Sequence, residues 1–385
     1  MSNSSRLVQF VRDQYRTNDF IPLHAPVFSG HEQQYVAETI SSTFVSSVGA
    51  YVERFERDIA VYTGSPKATA TVNGTAALHM ALLIAGVQAG DLVITQPLTF
   101  VATCNAIAYI GAEPVFVDVD RQTMGLSAGA LEAWLNEHAE ICQDGVSRTK
   151  VDSRVISACV PMHTFGHPVD LDGLITVCAR WNLALVEDAA ESLGSLYKNR
   201  HTGTFGLLGI FSFNGNKIIT TGGGGMILSN EEVGLRAKHL TTTAKVSHAY
   251  EYVHDEIGYN YRMSNINAAL GCAQLEMLDS FICAKRALAE RYQEYFKDTS
   301  LQFVTEPPNC RSNYWLNAVI CEDRKQRDVL LRESNEQGVM TRPIWELMSR
   351  LPLFAQCRKG PLDHAEWLRE RVVNIPSSVL PERMA

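Results

Sequence analysis

The stretch LDGLITVCARWNLALVEDAAES, Leu171 to Ser192, contains a helical pattern, then a strand pattern, then a polar loop. From Leu171 to Asn182 the apolar residues recur at the spacing of an amphipathic helix. The residues LALVED that follow are a short, mostly apolar run, as in strands that are buried on both faces. A helix that leads into such a strand is typical of a parallel sheet covered by helices.

The same alternation extends over the first two thirds of the chain. A second helical pattern covers Gly74 to Gly86, and further strand patterns occur at LVIT (92–95), PVFVDV (114–119) and RVISACVP (154–161). We therefore predict an α/β fold with a largely parallel sheet and flanking helices.

The pattern changes at Ser264, which is placed to cap one long helical stretch. A strand at YWLNAVI and a helix at RKQRDVLLRESNEQG, stopped by Gly338, are predicted further on. The predicted organisation is an N-terminal segment over 1–24, a large α/β domain over 25–262 and a small C-terminal α+β domain over 263–385.

Composition excludes several classes of protein. The 385 residues are 46% apolar, and the formal net charge of −8, without any basic run, argues against a nucleic-acid partner. The nine cysteines are scattered without metal-ligand spacing, so no metal site is predicted and reduced thiols are expected. Neither a signal peptide nor a run long enough to span a bilayer is found, which predicts a cytoplasmic protein with no membrane partner.

Ligands of open parallel sheets bind at the carboxyl ends of the strands. The run LALVED brings Asp188 to that edge, where a carboxylate could keep a pyridine nitrogen protonated, as in pyridoxal phosphate enzymes, or could simply cap the next helix. In VNGTAAL, Gly74 and Thr75 open a predicted helix whose free amides would attract a phosphate. Helices also begin with Gly-Thr for capping alone.

The stretch SFNGNKIITTGGGGM, Ser212 to Met226, has one lysine beside four consecutive glycines. A lysine in a glycine-rich turn is usually solvated. The nucleotide phosphate loop is excluded because Asn216 precedes Lys217 and Ile218 follows it, and the dinucleotide fingerprint is excluded because no helix follows the glycines. The amine of Lys217 could form an imine with an aldehyde, and Ser212 could place its hydroxyl on the phosphate of the same cofactor.

Eight stretches between Ile21 and Ser378 jointly resemble the nucleotide-sugar aminotransferases of the DegT/DnrJ/EryC1/StrS family. They are FERDIAVYTG, NGTAALHMAL, GDLVITQPLTFVAT, GAEPVFVDVD, HTFGHPVDLD, VEDAAESLGS, FSFNGNKIITTGGGGM and GYNYRMSNINAALGCAQL. The resemblance implies the pyridoxal phosphate-dependent transferase fold type I, with a mostly parallel sheet of the seven-stranded type and a smaller C-terminal α+β domain. It is closest to the subgroup that aminates C4 of UDP-linked 4-keto-6-deoxy-N-acetylhexosamine, on routes to bacillosamine and legionaminic-type sugars of lipopolysaccharide and O-antigen.

The resemblance implies a role for each matching residue. Lys217 stands at the lysine that forms the Schiff base with pyridoxal 5'-phosphate, and Asp188 stands at the aspartate that faces the ring nitrogen. Ser212, Gly74 and Thr75 match residues that bind the phosphate.

Three further residues are assigned to the cofactor by the resemblance alone. Phe100 matches the aromatic residue that stacks on the pyridine ring. Asn260 matches an asparagine that reaches the phosphate in the neighbouring subunit, which implies a homodimer with shared active sites. Glu191 stands where many relatives have glutamine or histidine near the phenolic oxygen. A carboxylate would be repelled there unless it is protonated or turned away, so its role stays open.

The implied reaction is a ping-pong transfer of an amino group from L-glutamate to a nucleotide-linked keto sugar. Lys217 acts as general base and acid, and Asp188 keeps the ring nitrogen protonated. The alternatives are a 3-dehydratase that uses the pyridoxamine form, in which the lysine is commonly replaced by histidine, and a sugar-nucleotide sensor without catalysis.

Four other residues keep open interpretations. His163 and His167 either satisfy backbone groups in a tight turn or touch the sugar nucleotide. Arg262 is a candidate for the carboxylate of the amino donor or for an internal acid, and Arg342 is a further candidate anion contact.

Overall fold

The computed structural model describes residues 3–380. Within this range the α-helices are α1 (Asn3–Tyr15), α2 (Glu32–Ser42), α3 (Ala50–Thr63), α4 (Gly74–Ile84), α5 (Val101–Tyr109), α6 (Ala128–His138), α7 (Leu171–Arg180), α8 (Glu231–Thr241), α9 (Asn265–Glu276), α10 (Leu278–Phe296), α11 (Arg324–Glu336) and α12 (Asp363–Arg369). Two short 3₁₀ turns cover Thr164–Gly166 and Met348–Arg350.

The strands in the same range are β1 (Lys67–Thr71), β2 (Leu92–Thr95), β3 (Glu113–Phe116), β4 (Ala139–Ile141), β5 (Ser147–Thr149), β6 (Ile156–Val160), β7 (Ala184–Asp188), β8 (Leu196–Tyr197), β9 (Arg200–His201), β10 (Leu208–Ser212), β11 (Gly225–Ser229), β12 (Lys245–Val246), β13 (Val253–His254), β14 (Gln302–Phe303), β15 (Cys310–Arg311), β16 (Asn317–Ile320), β17 (Arg342–Pro343) and β18 (Val372–Ile375).

The central sheet has seven strands in the order β1-β11-β10-β7-β6-β2-β3. β7 pairs in parallel with β10 and β6, and β2 pairs in parallel with β6 and β3, whereas β11 is antiparallel to both of its neighbours. β11 therefore returns across the sheet directly after β10, and the loop between these strands, which contains Lys217, lies at the carboxyl edge of β10. The predicted α/β fold with a mostly parallel seven-stranded sheet is confirmed.

Helix boundaries follow local capping chemistry. Asn73 caps α4 by accepting a hydrogen bond from the Ala76 amide, and Ser264 caps α9 as predicted. The long helix predicted after Ser264 is in fact two helices, because α9 ends at Glu276 and α10 begins at Leu278. Gly338, with φ at +73°, follows α11 in the left-handed conformation that often ends a helix.

A smaller antiparallel sheet, in the order β14-β16-β18-β17, lies in the C-terminal part of the chain. The predicted strand YWLNAVI is shorter than expected, since β16 begins only at Asn317. Leu7 and Val11 of α1 share one hydrophobic core with Tyr292 of α10 and Val373 of β18, so the N-terminal helix packs with the C-terminal elements. The domain limits 24/25 and 262/263 remain a prediction, and the ends of the outer segments, 1–2 and 381–385, lie outside the described residues.

Two further expectations are reduced cysteine thiols and the lack of a membrane-spanning segment. All nine cysteines are free, and five of them are buried. None of the helices within residues 3–380 has both the length and the apolar composition that a membrane-spanning helix needs.

Candidate active site

Three of the predicted site residues lie at the carboxyl edge of the central sheet. Asp188 is the last residue of β7 and Ser212 the last of β10, while Gly74 begins α4 shortly after β1. β1 and β10 are both antiparallel to β11, so they run in the same direction and end at the same edge. Chain order therefore separates these residues, and the sheet brings them together.

Gly74 and Ser212 form the first half of the site. A Cβ atom on Gly74 would lie 2.8 Å from Cβ of Ser212, so only glycine allows α4 to begin this close to β10. The side chain of Asn73 accepts a hydrogen bond from the Ala76 amide, and its backbone carbonyl accepts one from the Ala77 amide. The amides of Gly74 and Thr75 belong to the first helical turn, which has no intrahelical acceptors for them, and they suit an anion placed beside the Ser212 hydroxyl.

Asp188 is buried and holds two hydrogen bonds. Its Oδ2 accepts a bond of 2.6 Å from the Thr103 hydroxyl, and its Oδ1 accepts one of 3.2 Å from the Ala190 amide. Burial raises the pKa of Asp188, although these two bonds and the charge of Lys217 act in the opposite direction. A cationic ring nitrogen would compensate the buried charge.

Lys217 lies beside Glu191. Nζ of Lys217 is 3.2 Å from Oε1 of Glu191, and the Phe165 amide donates to Oε2 at 2.9 Å. Burial raises the pKa of Glu191 to about 7, in spite of the neighbouring Lys217 charge. Phe165 has the left-handed backbone conformation, with φ at +57°. The Glu191 carboxylate is thus engaged on both oxygens.

An aromatic residue from the C-terminal part of the chain covers Lys217. The centre of the Trp315 ring is 4.0 Å from Nζ, and the indole nitrogen donates to the Asn216 carbonyl at 2.7 Å. The lysine side chain is only 12% exposed, between a carboxylate and an aromatic face.

The two candidate histidines are buried and differ in their contacts. Nδ1 of His163 accepts from the Val169 amide at 3.2 Å, so its protonated Nε2 donates to Glu187 at 3.1 Å. His167 has no hydrogen-bond partner for either ring nitrogen among the described residues, and it packs edge-on against Tyr314 at 5.2 Å. Burial lowers the pKa of His167 to about 4, which keeps this imidazole neutral.

The other candidates lie nearer the surface. Phe100, which directly precedes α5, has half of its surface exposed, unlike most large apolar side chains around it. Asn260 is exposed and accepts two hydrogen bonds from Arg262, at 3.1 and 2.9 Å, so within residues 3–380 Arg262 is paired with an amide rather than with an acid. Arg342 is exposed on β17, and among residues 3–380 its guanidinium makes long hydrogen bonds to Asn335, at 3.5 Å, and to the Thr341 carbonyl, at 3.4 Å.

The residues at this edge fit pyridoxal phosphate. Lys217 offers an amine for the aldehyde, Asp188 a buried carboxylate for the ring nitrogen, and Ser212 a hydroxyl beside the amides of α4 for the phosphate. Phe100 offers an exposed aromatic face near Thr103, one helical turn further along the chain. This donor set matches an aldehyde, a cationic nitrogen and an anion on one planar molecule.

Sequence reasoning missed Thr103, Phe165 and Trp315. Thr103 had a usable signal, because it lies three residues after Phe100 and therefore on the same side of the helix start. Phe165 and Trp315 had none. The first acts through a backbone amide, and the second was assigned to a strand from another part of the chain.

Comparisons with known proteins identify the family of this chain. The model of the DegT/DnrJ/EryC1/StrS aminotransferase family matches residues 27–382. The chain is 38% identical over 360 residues to a GDP-perosamine synthase of Escherichia coli O157:H7, covering 93% of both chains, and 35% identical over 362 residues to one of Caulobacter vibrioides, again covering 93% of both. Its fold is similar to that of the aminotransferase TlmJ from Streptoalloteichus hindustanus, with a TM-score of 0.83, 28% identity and 93% of both chains covered.

Proposed function

The chain belongs to the DegT/DnrJ/EryC1/StrS aminotransferase family and is a pyridoxal phosphate-dependent sugar aminotransferase, and from this premise we propose its donor, acceptor and site residues. The amino donor is L-glutamate. The acceptor is the C4 keto group of a nucleotide-linked 4-keto-6-deoxy sugar, with UDP-2-acetamido-4-keto-2,4,6-trideoxyhexose as the substrate. The two half-reactions alternate in one site, so the kinetics are ping-pong.

The observation that carries this proposal is the free amine of Lys217 at the carboxyl edge of the sheet, 3.2 Å from Glu191 and close to Asp188. A dehydratase of the same fold commonly replaces this lysine, and a sensor has no use for an amine held against a carboxylate. Both alternatives are disfavoured on this ground.

Each residue has one task in the proposed mechanism. Pyridoxal phosphate supplies the aldehyde and an electron sink for the carbanion. Lys217 accepts a proton from the α-carbon of the donor in the first half-reaction. In the second half-reaction it donates a proton to C4 of the sugar. Asp188 holds a positive charge on the ring nitrogen, and Ser212 with the amides of Gly74 and Thr75 holds the phosphate. Phe100 covers one face of the ring.

The proposal includes a homodimer in which Asn260 serves the partner's site. Two features support it: Asn260 is exposed and touches none of the other proposed site residues, and large apolar side chains such as Phe44, Val48, Tyr252 and Ile257 are exposed on the single chain. An amide that donates to a phosphate contributes roughly 1.5 to 3 kcal/mol, so Asn260→Ala should weaken cofactor binding about ten- to a hundredfold.

Heterodimers of Asn260→Ala and Lys217→Ala chains, purified through two different tags, test this sharing. If Asn260 acts across the interface, the heterodimer contains one site with both residues intact and one with neither. That single site should bind cofactor with wild-type affinity and turn over. If no such site is found in titrations of the heterodimer, the sharing proposal is wrong.

A second candidate acceptor is a GDP-linked 4-keto-6-deoxy sugar. It is favoured by the names of the relatives that are 38% and 35% identical to this chain, both GDP-perosamine synthases. The UDP-linked acceptor is favoured by the resemblance of the sequence motifs described above. The two candidates share the reaction and differ in the nucleotide and in the substituent at C2.

A mass-spectrometric screen decides between them. Purified protein loaded with pyridoxal phosphate is incubated with L-glutamate and with UDP-, GDP- or dTDP-linked 4-keto sugars, and the aminated product is weighed. We expect product with the UDP-linked N-acetylated sugar and none with the Lys217→Ala variant. Product with the GDP-linked sugar alone supports the second candidate, and no product with any keto sugar contradicts both.

A further inference from the structure

The segment Ser312 to Trp315 leads into β16 of the smaller sheet, and its residues Asn313 and Trp315 form hydrogen bonds with the loops at the active-site edge of the large sheet. Asn313 donates through its side chain to the carbonyls of Glu191 and Leu193, both at 2.9 Å. Its backbone amide donates to the Ser195 hydroxyl at 2.9 Å. The segment is therefore attached to the loop that carries Glu191.

Gly166 makes room for this attachment. A Cβ atom on Gly166 would lie 1.9 Å from Oδ1 of Asn313, and the backbone of Gly166 has φ at +96°, which favours glycine. The same Oδ1 accepts the Trp315 amide at 2.8 Å. Asn313 thus links the Glu191 loop to the backbone of Trp315.

Trp315 is held at three points. Besides the bond to Asn313, its carbonyl accepts from Nζ of the buried Lys285 at 3.1 Å, and its indole nitrogen donates to the Asn216 carbonyl at 2.7 Å. The residue is only 4% exposed. The face of its ring is directed at Lys217, with 4.0 Å between Nζ and the ring centre.

Few charged groups compete for the Lys217 amine. Glu191 lies at 3.2 Å and the Asp188 charge is close enough to be affected by the lysine. On the other side, burial and the charges of Lys285 and Lys217 lower the pKa of His24, so this imidazole is neutral. The face of the Trp315 ring also lies against Nζ, with 4.0 Å between Nζ and the ring centre.

We propose that Trp315 is a positioning residue for amino transfer, which holds the free amine of Lys217 at the reacting atoms. It acts in two ways: the ring face attracts Nζ once Nζ has accepted the proton, and the indole hydrogen bond fixes the carbonyl of Asn216, the residue before Lys217. In the step served, Nζ of Lys217 would accept the proton from the donor α-carbon as that C–H bond breaks, and bound pyridoxal phosphate would supply the electron sink for the remaining electron pair. The role rests on the proposed function.

Two variants separate the two contacts. Trp315→Phe keeps an aromatic face but loses the hydrogen bond to Asn216, and Trp315→Leu loses both. Trp367→Leu is the matched control, because the Trp367 ring also lies over a cation, the Arg121 guanidinium at 4.4 Å, away from Lys217. Circular dichroism and thermal melting establish which variants are folded.

Two readouts separate positioning of the amine from general packing. The first is the deuterium isotope effect on the half-reaction with L-glutamate labelled at the α-carbon. The second is the rate at which cofactor-free protein attaches pyridoxal phosphate to Lys217, measured by borohydride trapping and peptide mass spectrometry. We expect Trp315→Leu to slow both reactions roughly tenfold to a hundredfold and to raise the isotope effect, with Trp315→Phe intermediate.

The outcomes are distinct. The control Trp367→Leu should stay within twofold of wild type. If Trp315→Leu is folded and either readout stays within twofold of wild type, the proposal is overturned. If Trp315→Leu does not fold, an unchanged rate of pyridoxal phosphate attachment in Trp315→Phe overturns it. If wild-type protein does not react with L-glutamate, the proposed donor is wrong, while the attachment rate still tests Trp315 by itself.

Discussion

Glu187 and Asp188 are neighbours on β7 and both are buried, but their surroundings differ. Glu187 accepts backbone hydrogen bonds from Gly203, Phe205 and Gly206, at 2.6 to 2.8 Å, and a fourth bond from His163 at 3.1 Å. Within the described part of the chain, the Asp188 carboxylate accepts hydrogen bonds only from the Thr103 hydroxyl and the Ala190 amide. Successive residues of a strand point to opposite faces, so one carboxylate enters a closed pocket and the other lies at the ligand edge.

The pKa shifts of the two carboxyls are opposite. Burial alone would raise the pKa of Glu187, but His163 and the backbone amides of Gly206 and Gly203 lower it overall. Burial raises the pKa of Asp188, because fewer donors oppose it. A carboxylate whose hydrogen-bonding capacity is filled by the protein serves the fold. One that is left short of donors can stabilise a cation that arrives with a ligand.

The largest expected effect is on turnover in the Asp188→Asn variant. The amide keeps the shape of the side chain but loses the charge that holds the ring nitrogen protonated. Turnover should fall roughly a hundred- to a thousandfold, as when one preorganised electrostatic group is removed. Urea unfolding of the cofactor-free protein should show unchanged or slightly greater stability, because a buried charge is removed. A loss of turnover below threefold would remove Asp188 from its assigned role.

The neighbouring substitution, Glu187→Gln, should show the reverse pattern. The amide NH₂ would face backbone amides that need acceptors, so the free energy of unfolding should fall by roughly 3 kcal/mol. Since the pKa of Glu187 is lowered in the folded state, its stabilisation is present above the unfolded value of about 4.3 and is lost as the pH falls below it. Urea unfolding at pH 7 checks the first effect. If Glu187→Gln is as stable as wild type but inactive, the contrast with Asp188 fails.

Glu191 is a third buried carboxyl group to compare with Glu187 and Asp188. Burial raises its pKa to about 7. A raised carboxyl pKa means that the folded state binds more protons than the unfolded state. Wild-type stability therefore falls as the pH rises from about 4.3 to 7. Glu191→Gln removes this loss, so its stability relative to wild type should improve by about 2.5 kcal/mol as the pH rises from 5 to 8. Urea unfolding of cofactor-free protein at both pH values measures the difference. A constant difference would mean that Glu191 titrates normally.

Much of this arrangement was predictable from sequence, and the part that was not has a physical reason. Asp188 was found because it ends an apolar run at a strand end, where ligands bind. Gly74 was found because it opens a predicted helix, and Ser212 because it lies five residues before Lys217. The internal break at Met277 and the late start of β16 were missed because helix and strand periodicity continues through both places. Contacts such as Trp315 with Lys217 join residues about a hundred positions apart, and local patterns carry no information about them.

The smallest expected effect concerns Thr103, which donates the shorter of the two hydrogen bonds to Asp188. Its hydroxyl has one proton, which goes to Asp188, while the Thr99 hydroxyl lies 3.1 Å from its oxygen. Thr103→Val keeps the shape and leaves Asp188 with the Ala190 amide alone. Because a donated hydrogen bond stabilises the ionised carboxylate, its loss should raise the pKa of Asp188 further and lower kcat/KM about tenfold, equivalent to about 1.4 kcal/mol. Steady-state kinetics of Thr103→Val and Thr103→Ser check this: serine keeps the hydroxyl and should stay near wild type, whereas an equal loss in both variants would assign the effect to packing of the methyl group.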